Sequence, residues 1–162
     1  MYNIGDRIVY PMHGAGVIES IEEREILGCV HKYYIVRMPV AGEMTLMLPL
    51  DKCDEIGVRD VISKDEASKV LETFRTVDVE CDSNWNKRHR ENMEKIKSGN
   101  IYKVLGVVKE LMYRDKVKGL STSERKMLNN AKQIVVSELV LSAVADKDDI
   151  ESIISDTVDE ML

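Results

Sequence analysis

Apolar and polar positions alternate with a period of two along the first third of the chain and with a period near 3.6 along the rest. "DRIVYP" (6–11) is rich in β-branched and aromatic residues and stops at Pro11. "GVIESIEERE" (16–25) runs on to a turn at Leu27 and Gly28, and "VHKYYIVRM" (30–38) follows it. "PVAG" (39–42) then turns the chain into "EMTLMLP" (43–49). Four or five short strands joined by tight turns predict a small antiparallel barrel or strongly twisted sheet, with an edge open to a partner strand.

From Ser63 the pattern turns helical. Ser63 and Glu66 form a capping box ahead of an apolar stripe of Ala67, Val70, Leu71 and Phe74. A second helix is predicted to begin near Trp85 and stop at "SGN" (98–100), with Gly99 as its C-terminal glycine. A third carries Ile101, Val104, Leu105, Val108, Leu111 and Met112 and ends near Gly119. Ser121 and Glu124 make another capping box, opening a long helix through Met127, Leu128, Ala131, Ile134, Val135 and Leu139. A last amphipathic segment uses Ile150, Ile153, Ile154, Val158 and Met161. The fold class expected is therefore α+β: a small N-terminal Tudor- or SH3-like antiparallel β domain over 1–56, then an all-helical C-terminal domain over 57–162. Without a repeat or a low-complexity linker, the two should join tightly around "IGVRDV" (56–61).

Charge changes the picture more than composition does. The whole chain is acidic, at a net −6, yet residues 85–132 carry 13 basic against 5 acidic side chains. That basic block is flanked by two acidic ones. Charge alone leaves two readings level: a solvated helix face, or a surface for phosphates. An apolar share of 44% suffices for a packed core. No apolar run has membrane-spanning length, and "MYNIGDRIVYP" (1–11) lacks the layout of a signal peptide. Cys29, Cys53 and Cys81 are odd in number and far apart, so neither a disulfide framework nor a zinc site is expected, and a reducing cytoplasm is the natural home.

Catalytic chemistry finds no foothold. His13, His31 and His89 lack the spacing of a metal pair, and "HGAG" (13–16) falls between strands and reads as a turn, not a phosphate loop. No nucleophile elbow, P-loop, cofactor motif or small-molecule site is present.

One short stretch remains. Trp85, the sole tryptophan, opens a helix beside Lys87, Arg88 and Arg90. Trp85, His89, Met93 and Ile96 lie on one helical stripe, which favours a core role for the indole. Its place at the helix start, among cations, favours a plate that props a base step while the cations hold the backbone. The residues by themselves leave these two about even.

"VYPMHGAGVIESI" (9–21), "IGVRDV" (56–61), "NW" (84–85), "SGN" (98–100) and "GLSTSERKML" (119–128) together resemble the CarD family of bacterial transcription regulators. The likeness covers essentially the whole chain, with the motifs in the same order. It implies a Tudor-like domain that docks on the β-subunit lobe of RNA polymerase, and a helical domain that meets promoter DNA at the upstream edge of the transcription bubble. The family's tryptophan is a minor-groove wedge and matches Trp85; its basic positions match Lys87, Arg88, Arg90, Arg125 and Lys126. The resemblance turns the balance on Trp85 toward the wedge. On the sheet it implies polymerase contacts at Arg24 and at the position of Met47, where relatives carry a cation and this chain a thioether. Met47 should share a face with Glu43 and Thr45, opposite Met44, Leu46 and Leu48. The alternative is a Tudor-like peptide-binding adaptor, for which the β module offers only Tyr2, Tyr10, Tyr33 and Tyr34 as cage residues.

Overall fold

The computed structural model describes residues 1–79 and 83–162, so Cys81 lies outside the described residues. A meander of strands β1 (Arg7–Tyr10), β2 (Gly14–Ile26), β3 (Cys29–Met38) and β4 (Met44–Pro49) is followed by a short helix α1 (Cys53–Ile56) and a two-residue strand β5 (Arg59–Asp60). All pairings are antiparallel and the strand order is β4-β3-β2-β1-β5. Leu27 and Gly28 join β2 to β3 with φ of 53° and 79°, the two left-handed residues that a tight hairpin turn of matching twist requires. Alternation along these strands buries Ile8, Ile18, Tyr34, Val36, Met38 and Leu48 in one small core. The sheet takes in Arg59 and Asp60, which pair with Val9 and Ile8 and lie past residue 56, the expected end of the β domain.

Five helices follow: α2 (Lys64–Thr76), α3 (Trp85–Lys97), α4 (Ile101–Val117), α5 (Thr122–Leu141) and α6 (Lys147–Asp159). Ser63, Asn84, Asn100, Ser121 and Asp146 each cap one by accepting a backbone N–H with the side chain. Their apolar stripes converge on a second core that includes Phe74, Leu105, Leu111, Val135, Leu139 and Ile154. Buried Lys109 of α4 donates its ammonium to the carbonyls of Phe74 (2.6 Å) and Val77 (2.7 Å), satisfying acceptors at the end of α2. Burial lowers its pKa from the ordinary 10.5.

The end of α5 joins the two parts. Ala15 N–H donates to Ser137 Oγ at 2.9 Å. A Cβ at Gly14 would come within 2.7 Å of the same oxygen, and Gly14 has a φ of +107°; both facts call for glycine. "HGAG" is thus only partly a turn: His13 lies in it, whereas Gly14, Ala15 and Gly16 are strand residues docked against α5 or folded close over β3. Arg59 donates to both carboxylate oxygens of Glu138 (2.5 and 2.6 Å) and to the carbonyl of Gly99. Ile62 N–H donates to Glu138 Oε2 at 3.1 Å, and Arg7 donates to the Leu141 carbonyl. The "IGVRDV" segment is therefore a bonded joint.

Candidate functional site

The first turn of α3 is set by Asn84, whose Oδ1 accepts the Lys87 N–H at 3.1 Å. Trp85 follows it and is 41% exposed. Along the stripe that Trp85 shares, burial fades toward the helix start: Ile96 is buried, Met93 and His89 are half-buried, and the indole emerges. Its ring stacks on the His89 imidazole with centroids 4.9 Å apart and planes 15° from parallel. Its Nε1–H donates to Glu124 Oε1 at 3.1 Å. A large apolar plate is thus held at the surface by one stacking contact and one hydrogen bond.

Glu124 is legible in the sequence only as the last letter of a capping box. Its backbone N–H does donate to Ser121 Oγ at 3.2 Å. Its carboxylate crosses to α3, where it takes the indole N–H and the Arg88 guanidinium, with Nε at 3.1 Å from Oε2 and Nη2 at 3.4 Å from Oε1. Burial raises the Glu124 carboxyl, but the hydrogen bond and charge of Arg88, with Arg114 and the indole N–H, outweigh it and leave the pKa below the ordinary value. Arg88 is correspondingly only 2% exposed, unlike the other cations expected at the DNA surface. Its guanidinium is engaged with a buried carboxylate in the unbound protein.

The remaining cations stay on the surface. Lys87 and Arg90 are exposed on α3, and Arg125 and Lys126 are exposed on α5. Arg125 and Lys126 directly follow Glu124, so they belong to the first turn of the helix that bonds the indole, though their side chains leave it in other directions. Arg125 makes an exposed ion pair with Asp115 at 3.1 Å, of the solvent-screened kind that exchanges readily for another anion.

On the sheet, the register pairs Arg24 with His31, Glu22 with Tyr33, Ser20 with Ile35, and Ile35 with Met47. Directly paired residues share a face, so Arg24 and Met47 lie on one side, with Tyr33 and Ile35 between their rows. Met47 is 44% exposed, whereas Leu48 points into the core, as simple alternation predicts. Arg24 is exposed and bonds Glu22 at 2.7 Å. Strand β4 is an outer strand of the sheet. The tyrosines do not assemble an open cage: Tyr34 is core, Tyr2 packs edge-on against it, and Tyr10 packs on His13. Among the described residues no group of three or more His, Cys, Asp or Glu is arranged to hold a metal ion, and no helix is long and apolar enough to cross a membrane.

Comparison with known proteins decides the family. Residues 2–62 match the family described as "CarD-like/TRCF RID domain", and residues 69–155 match "CarD, C-terminal domain". The chain belongs to the CarD family. It is 40% identical over 148 residues to YdeB of Bacillus subtilis (strain 168), a candidate transcription factor by name, spanning 91% of this chain and 96% of the relative. A solution structure of the 72-residue N-terminal domain of Myxococcus xanthus CarD is 30% identical, covers 37% of this chain and 79% of that one, and superposes at a TM-score of 0.32. As a CarD-family chain of α+β architecture, this protein is a transcription regulator.

Proposed function

We propose that this CarD-family protein docks through its sheet on the β-subunit lobe of RNA polymerase and stabilises the promoter open complex with Trp85 as a minor-groove wedge, without base-specific readout. The observation that carries the reading is the half-exposed indole, fixed by His89 and Glu124 where the first turns of α3 and α5 also carry the exposed cations Lys87, Arg90, Arg125 and Lys126. A core tryptophan would be covered, and an idle surface tryptophan would not be fastened at both its face and its edge. The paired placement of Arg24 and Met47 on one sheet face supports the docking half. An acidic chain can work at DNA in this way because the tether to polymerase gives a modestly basic surface a high effective concentration at the promoter. Preferring melted over closed DNA by about 1.4 kcal/mol shifts the opening equilibrium tenfold.

The test is Trp85→Ala. Open-complex lifetime should drop to that seen without the protein, while the fold loses about 1 kcal/mol for one hydrogen bond and about 1–2 kcal/mol for partial burial. A loss of about 5 kcal/mol, the cost of emptying a core tryptophan site, together with a wild-type open-complex lifetime in whatever protein remains folded, would return Trp85 to a packing role.

A further inference from the structure

We propose that Glu124 is the positioning residue of the wedge: its carboxylate sets the attitude of the indole and occupies the only polar group the indole has. This rests on the wedge reading of Trp85. Tryptophan carries a single donor, Nε1–H, and no acceptor. Here that donor goes to Glu124 Oε1 at 3.1 Å. The plate is left with an apolar face and no donor for a base edge, which makes its insertion indifferent to sequence. Position comes from the same carboxylate. Glu124 is 4% exposed, starts a 20-residue helix, and is braced from its second oxygen by buried Arg88. His89 stacks on one face of the ring and leaves the ring to turn in its own plane; the bond to Nε1 removes that freedom.

Two substitutions separate tethering from folding. Glu124→Gln keeps an acceptor for the indole but strips Arg88 of its counter-charge, so it should destabilise the fold while holding the ring. The double change Arg88→Met with Glu124→Leu replaces a buried ion pair by apolar side chains of similar size, a swap that proteins often tolerate or gain from, and Glu110→Gln in the same background removes the other buried carboxyl that feels the Arg88 charge. The combined variant should keep the fold and release the ring. Trp85 is the only tryptophan, so its fluorescence anisotropy decay in the full-length protein reports this ring alone. Expected for the combined variant are a normal melting temperature, fast local motion of the indole, and loss of open-complex stabilisation. Expected for Glu124→Gln are a lowered melting temperature, a still-immobile indole, and stabilisation retained wherever the protein is folded. A residue with a purely structural role would move stability and promoter effect together; here they move in opposite directions. The proposal is overturned if the combined variant keeps the wild-type anisotropy and lifetime while Trp85→Ala loses the lifetime. Wild-type lifetime with Trp85→Ala itself would instead sink the wedge reading.

Discussion

At Arg88 and Arg90, neighbouring letters of one basic run come to opposite ends. In the sequence both look like cations of a solvated helix face, yet Arg88 stands four and eight residues before Asn92 and Ile96, the other buried positions of α3, and Arg90 does not. Arg88 can stay charged on that inward face because a carboxylate from another helix meets it there, a tertiary event that spacing does not announce. The role of Glu124 is hidden for the same reason: its capping-box position is real at the backbone, while its side chain answers to α3. The pair has a consequence for acid stability. Glu124 has a lowered native pKa against the ordinary 4.5, burial opposing and Arg88 prevailing. The native state then binds fewer protons than the unfolded chain, so its stabilisation is complete above the unfolded value and drains away as pH falls through the native one. Glu110, raised chiefly by burial, has the opposite sign, so the raw profile mixes the two. Subtracting the Glu124→Gln protein isolates the first: the wild-type advantage in urea unfolding should be full at neutral pH and shrink on the acid side of 4.5. An advantage that holds constant across that range would mean that Glu124 is not the charged partner of Arg88.

At the scale of elements, most of the helical half is legible in the sequence. Each of the helices expected from the 3.6 period is present, and Ser63, Ser121 and Gly99 stand at their ends because caps depend on local backbone chemistry. The strands are legible where alternation is long, as in β2, β3 and β4. Strand β5 is not, since two residues carry no period, and Gly14 and Gly16 pass for turn glycines because close approach to another element leaves the same letter as a bend. The first turns of α3 and α5 form the element on which the proposed DNA contact depends. Neutralising Lys87, Arg90 and Lys126 together should weaken association with any duplex and flatten the log–log salt dependence by about 0.9 for each phosphate no longer neutralised. Adding an Arg88 substitution should flatten it no further. A slope unchanged by the triple substitution would show that these cations face only water.

On the scale of the whole molecule, the two cores are joined at the end of α5, so the sheet and the indole belong to one bonded body. The proposed tether then has a simple requirement: both ends must engage at once. Arg24→Glu places another carboxylate on a surface that already carries Glu22, and should abolish binding to the isolated polymerase lobe. It should remove the promoter effect as well, with Trp85 untouched, because the basic surface is too weak to find DNA unaided. Full open-complex lifetime alongside abolished lobe binding would leave a free-standing DNA binder. The helix between the two ends also sets a distance. Glu124, in its first turn, grips the indole; Ser137 and Glu138, near its last, grip the sheet. At 1.5 Å per residue those grips are about 20 Å apart along a single unbroken helix. Helix α5 is thus a gauge rod, and under the proposed function the spacing between the polymerase-docking sheet and the DNA-facing indole would be counted off in its residues. Four residues inserted between the two grips would shift them apart by about one turn, roughly 5–6 Å along the helix axis, with only a modest rotation; two would turn one grip to the far side of the helix from the other.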